Sequence, residues 1–137
     1  MKVLKPKGQS LVEFAFALPI LLLLVIGVFD LSRLFLTKVV LNNAAREGAY
    51  YLSYHRSDKN VESNCGSCVP YAKTYAAVKA EAQNSGITIN DADITISNCC
   101  TSGQPVEVTV VHVVDLAIIG FFTGPVTLSS SVRMMVQ

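Results

Sequence analysis

A chain of 137 residues, 51% hydrophobic and 15% charged, has room for one domain and one anchor. That charge content is well below the ~25% of an ordinary soluble domain. A net charge of +1, with no basic patch interleaved with aromatics, weighs against a nucleic-acid binder.

The chain opens on a short basic leader, residues 1–8, which holds Lys2, Lys5 and Lys7. Behind it, Phe14 to Phe29 runs without a charge. Extending back to Leu11 and tolerating Glu13 brings the run close to the ~20 residues that span a bilayer as a helix. Positive charge ahead of the run predicts a cytoplasmic N-terminus, with everything after Asp30 outside the cytoplasm. A cleaved secretory signal and a plain signal anchor are the competing readings. The first is disfavoured because the run continues into "DLSRLFLTKVV" with no cleavage pattern at its end.

Glu13 is the anomaly in this segment. An acidic side chain deep in a membrane helix costs roughly 2.5–3.5 kcal/mol. Either a partner helix neutralises it or it snorkels to the headgroups.

Helix is expected from about Gln9 to His55, with Pro19 as one kink. At about 1.5 Å per residue it would be roughly 70 Å long. Beyond the membrane, Leu31, Leu34, Leu41, Ala45, Ala49 and Leu52 mark an inward stripe. Ser32, Arg33, Asn43 and Glu47 lie mostly opposite, while Lys38 and Asn42 intrude on the stripe. Asp30 and Arg33 read as a surface pair on one helix face.

Ser57 to Cys68 is polar and rich in breakers, hence a loop. A second helix follows, with Pro70 in its first turn and Gly86 as its stop. Three strands are expected: "ADITISN", Val106 to Val114, and Val126 to Val136. Leu116 to Pro125 is too short to span a membrane; it is either buried under the long helix or in contact with lipid. The simplest assembly is an antiparallel sheet with the outer half of the long helix on one face.

Few residues suggest catalysis. His112, Asp115 and Ser129 form no convincing triad, because no serine sits on a glycine elbow. Cys65 and Cys68 have CxxC spacing, but Cys99 and Cys100 are adjacent. A polar loop, not a strand, precedes the CxxC, which weighs against a redox enzyme, and zinc would want a second CxxC. Outside the cytoplasm, disulfides are the better reading.

The opening can then be read as a constellation. Lys7-Gly8, Gln9-Ser10-Leu11-Val12-Glu13 and the apolar helix resemble the signal of type IV pilin-like proteins. The longer stretch "GQSLVEFAFALPILLLLVIGVFDLSRLF", with "LNNAAREGAY" and the tail "TGPVTLSSSVRMMV", resembles the TadE-like family of the Tad, or tight-adherence, pilus. The two ends of the chain carry the resemblance, and the cysteine-bearing middle does not. Gln9 departs from conventional pilins, which begin with phenylalanine, a variation that the Tad branch tolerates.

The resemblance implies a prepilin peptidase cutting between Gly8 and Gln9, and Glu13 as the assembly glutamate of the mature chain. Cutting would remove Lys2, Lys5 and Lys7, leaving eight basic against ten acidic residues. The implied fold is α+β and pilin-like, a long helix on a three-stranded antiparallel sheet with one extra short helix. Residues 1–8 would be the leader, 9–30 the transmembrane half of the helix and 31–137 the outer domain. Implied partners are the peptidase, other pilins or pilin-like subunits, the inner-membrane assembly platform and membrane lipid. No enzyme activity, cofactor or metal is implied. The alternative is an unprocessed bitopic component of an envelope or secretion complex.

Chain geometry sets the expected cysteine pairing. Adjacent Cα atoms lie about 3.8 Å apart, below the usual disulfide range, so Cys99–Cys100 is disfavoured. A Cys65–Cys68 bond would close a tiny loop. Nested bonds, Cys65 to Cys100 and Cys68 to Cys99, would close about 35 residues, the first worth about 3.8 kcal/mol.

Overall fold

The computed structural model describes residues 8–55, 71–97, 105–117, 120 and 124–135. Helix α1 is Gln9–His55 and helix α2 is Tyr71–Asn84. A 3-10 turn, Asp91–Asp93, leads into β1, Ile94–Ser97. Strands β2, Val106–Val114, and β3, Val126–Met134, complete an antiparallel sheet in the order β1-β2-β3. The fold is α+β, as expected, and α1 runs unbroken through Pro19. The 3-10 turn is an addition. Its lead-in residue Asn90 donates its backbone N–H to the Asp93 carboxylate at 3.1 Å, and Asp93 returns a backbone bond to Asn90.

Helix α2 ends where Gly86 stands. The Gly86 N–H donates to the Gln83 carbonyl and the Ile87 N–H to the Ala82 carbonyl, at 2.9 and 3.0 Å. That pair of bonds puts Gly86 in the left-handed region, φ +78°, where a Cβ would be strained.

The sheet buries one face. Val106, Val108, Val110 and Val114 point at the helices, with Ile94 from β1 and Leu128 and Val132 from β3. From α1 come Leu41, Ala44, Ala45, Ala49 and Leu52, and from α2 Val78 and Ala82. Small residues on α1 let three layers meet closely. A Cβ on Gly48 would stand 2.5 Å from Val78 Cγ2 and 3.3 Å from Val108 Cγ1.

The inward stripe differs from the expected one at its membrane end. Leu31 is 60% exposed, and Asp30 and Thr37 are buried instead. Positions 30, 34, 37, 41, 45, 48 and 52 form one continuous helical face. An apolar search starts that face one residue late because two of its members are polar. Asp30 faces inward rather than outward. Its carboxylate accepts the Ala117 N–H at 3.0 Å, which ties the end of the apolar run to the segment after β2. Leu116 beside it is buried, in line with burial of the start of that segment.

Lys38 and Asn42, the two intruders, reach strand β3. Lys38 Nζ donates to the Ser129 carbonyl, and the Ser130 hydroxyl donates to Asn42 Oδ1 at 3.3 Å. β3 is an edge strand; Lys38 engages its backbone and Asn42 its inward Ser130 side chain.

Thr74 is fully buried against Gly48, and its hydroxyl has no hydrogen-bond partner among the described residues. Valine has the same shape without the stranded hydroxyl. Thr74→Val is expected to stabilise the outer domain by about 1 kcal/mol, measured as a raised denaturation midpoint. A lowered midpoint would show that the hydroxyl is satisfied.

The outer sheet face is polar. Glu107, opposite Arg133, accepts the Ser131 hydroxyl at 2.6 Å and pairs with Arg133 at 3.1 Å. The Ser131 hydroxyl first, then Arg133, hold the Glu107 carboxyl below its usual range. A carboxyl depressed by folding stabilises the folded state above its unfolded pKa of about 4.3, and that contribution fades as pH falls through the folded value. Glu107→Gln should therefore be less stable than wild type near pH 7, with the gap closing on acidification below about pH 4. A constant gap from neutral to strongly acidic pH in parallel urea titrations would contradict this assignment.

Candidate functional site at the head of the long helix

The start of α1 collects three of the expected site residues on one turn. The Gly8 carbonyl accepts the Val12 N–H at 3.2 Å, the first bond of the helix. The Gln9 side-chain amide donates to Glu13 Oε1 at 3.5 Å, since residues four apart share a helix face. That contact is long and neutral. Among the described residues it is the hydrogen bond that the Glu13 carboxylate receives, and it carries no compensating charge. Lys2, Lys5, Lys7 and the four cysteines, Cys65, Cys68, Cys99 and Cys100, lie outside the described residues.

Gly8 is not required by the fold. A Cβ built there meets nothing within 4 Å, and its backbone is not left-handed. Among the described residues, nothing packs against Gly8 in a way that demands glycine.

The helix that follows is apolar on every side. Leu11, Phe14, Phe16, Ile20, Leu24 and Phe29 are each more than 60% exposed, and the most apolar 18-residue window has a mean hydropathy of 2.7 with none of it buried. A helix hydrophobic all round, with no protein covering it, belongs in lipid or against other apolar helices. Glu13 thus stands one turn inside the mouth of a lipid-soluble rod.

A comparison with protein families matches residues 8–49 to a family described as TadE-like protein. Over that segment the chain is similar to the TadE-like family. The TadE-like segment begins on Gly8 and ends on Ala49, so it takes in the Gly8–Glu13 turn, the apolar rod and the stretch of α1 that packs on the sheet. It also takes in most of the helix that is long and apolar enough to cross a membrane. No curated protein and no solved structure matches the chain.

The geometry elsewhere separates residues that catalysis would need together. His112 pairs with Leu128 and Ser129 with Val111, so the His112 and Ser129 side chains leave opposite faces of the sheet. Among the described residues no group of three His, Cys, Asp or Glu could hold a metal ion. Two features of the TadE-like region escaped the sequence reading, the inward turn of Asp30 and the close approach at Gly48. The "NAAREGA" run of small residues was the available signal for the second.

Proposed function

We propose that the protein is a pilin-like minor subunit of a Tad-type pilus or of its assembly apparatus. In this reading a prepilin peptidase cuts between Gly8 and Gln9 on the cytoplasmic side. The leader with Lys2, Lys5 and Lys7 is lost, residues 9–30 remain in the inner membrane, and residues 31–137 form the domain outside. Assembly runs through the apolar helix and Glu13, with other pilins and the inner-membrane platform as partners. The chain is the substrate of one reaction and the catalyst of none.

The observation that carries this reading is the TadE-like match beginning on Gly8, a glycine that meets no other described residue within 4 Å of its built Cβ. Peptide-bond cleavage needs backbone brought close to catalytic groups, and a glycine admits that approach where a Cβ intrudes. Gly8→Val should fold and insert like wild type, since the site is open, yet keep its full length in the membrane of a piliated host. Mass spectrometry of the membrane form decides the matter. Loss of the leader in wild type and not in Gly8→Val supports processing. A full-length wild-type chain favours the unprocessed bitopic anchor, and a shortened Gly8→Val removes glycine recognition from the account.

A further inference from the structure

Cutting between Gly8 and Gln9 would change the character of one atom above all, the backbone nitrogen of Gln9. In the uncut chain it is a peptide amide and no nucleophile. It opens α1, where a helix leaves its first N–H groups without intrahelical acceptors. After the cut it is a primary amine. The same residue holds an electrophile, the side-chain carbonyl carbon Cδ, and the amine reaches that carbon by closing a five-membered ring. Asparagine, one methylene shorter, would need a strained four-membered ring.

The local structure leaves this closure open. Gln9 is exposed, and nothing lies within 4 Å of a Cβ built on its neighbour Gly8. Among the described residues one contact restrains the glutamine side chain, its amide donating to Glu13 Oε1 at 3.5 Å on the exposed helix surface. A bond of that length is weak and lets the amide turn back toward its own nitrogen. Both reacting groups belong to one residue, so no encounter step is needed. An α-amino group titrates at about 7.7–8.0, so roughly a tenth of free ends are neutral and nucleophilic at pH 7. A carboxylate beside the ammonium has the opposite effect. It favours the charged form, whose nitrogen has no lone pair to attack with.

We propose that Gln9 of the cut chain is a self-modification site, closed to a lactam in subunits that stand alone and kept open in subunits whose ammonium is paired with Glu13 of a neighbour. The step balances within the residue. The amine nitrogen bonds Cδ, the Cδ–Nε2 bond breaks, and the proton lost by the amine leaves on Nε2 as ammonia. Nothing is oxidised or reduced, and the step needs no co-reactant. The product is a neutral lactam, which cannot return the Coulomb attraction that an ammonium gives a carboxylate. Closure therefore retires an unassembled subunit, and pairing preserves an assembled one. The inference rests on the cut proposed above and adds a chemical fate for the end that it exposes.

The test follows the full chain in cells of a piliated host. Synthesis is stopped, and intact masses are taken at intervals from two membrane pools, the chain alone and the chain co-purified with partner subunits. The expected mass is that of the chain less its leader, with a further loss of one ammonia. That loss should accumulate in the lone pool at least about tenfold faster than in the partner-bound pool, the ratio of their neutral amine fractions. Gln9→Asn should be cut like wild type and lose no ammonia. A chain that keeps its leader overturns the cut and this inference together. A chain short of its leader that never loses ammonia overturns the inference alone. So does equal loss in the two pools, or the same loss from Gln9→Asn, which would place the reaction at another residue.

Discussion

Gly48→Leu is expected to abolish stable folding of the outer domain, and Gly48→Ala to weaken it by up to about 2 kcal/mol, the overpacking cost less the helix gain of alanine. The reason is contact distance. A single Cβ at position 48 would lie 2.5 Å from Val78 Cγ2, a distance that real Cβ atoms essentially never show, and 3.3 Å from Val108 Cγ1. Neither valine yields easily. Each is β-branched, and in a helix valine holds one rotamer almost exclusively. α2 would have to move off α1, which opens the seam shared by Leu41, Ala45, Val78 and Val108. Overpacking of this kind costs about 1–3 kcal/mol, set against about 1 kcal/mol that alanine gains over glycine inside a helix. Gly27 is the internal control. It lies in the same helix, and a Cβ there meets nothing within 4 Å, so Gly27→Ala should leave the outer domain unchanged. Pairing Gly48→Ala with Val78→Ala should recover part of the loss, since the second change removes the clashing methyl. Exchange protection of α2 amides in the detergent-solubilised chain provides the measurement. Wild-type protection in Gly48→Leu would mean that the two helices do not pack as described.

The same seam shows what a linear sequence conveys. Local signals were legible because local physics sets them. The second half of the 47-residue helix carries the helical period, Gly86 ends α2 because only a left-handed residue closes that bond pattern, and β2 alternates as a half-buried strand should. Positions whose meaning lies in a partner were not legible. Asp30 looks like a surface carboxylate until the Ala117 N–H, 87 residues away, arrives to satisfy it. Lys38 and Asn42 spoil an apolar stripe until β3 is placed beneath them. Gly48 resembles any small helix residue until Val78 and Val108 close around it. At the head of α1 the reverse holds. Gly8, Gln9 and Glu13 stand out as a pattern in the sequence, although the described fold makes little use of them. The cysteine pairing remains an expectation on residues outside those described.

Glu13→Ala is expected to insert into the membrane at least as well as wild type and to lose its place among the partner subunits. Insertion should not suffer, because an acidic residue in an apolar helix is a cost, and removing it lowers the barrier. Within the chain the carboxylate has only the Gln9 amide at 3.5 Å, too weak an offset to explain its presence. In the proposed assembly a charged partner supplies the offset. Cleavage after Gly8 would create one, the free ammonium of Gln9 on a neighbouring subunit. Two unit charges about 4 Å apart attract by about 4 kcal/mol at an effective dielectric near 20, comparable to the insertion cost. Removing one member leaves the other uncompensated in lipid, typically a loss of about 3–5 kcal/mol. At about 1.4 kcal/mol per factor of ten, association with partner subunits should fall at least a hundredfold. Glu13→Gln separates charge from hydrogen bonding, since it retains the shape and an acceptor. It should behave like Glu13→Ala if the ammonium is the partner, and like wild type if a hydrogen bond suffices. Quantitative co-purification from membranes, normalised to the inserted amount, reads both variants. Undiminished recovery of partner subunits with Glu13→Ala would assign the glutamate to the headgroup layer and remove the intersubunit ion pair from the mechanism.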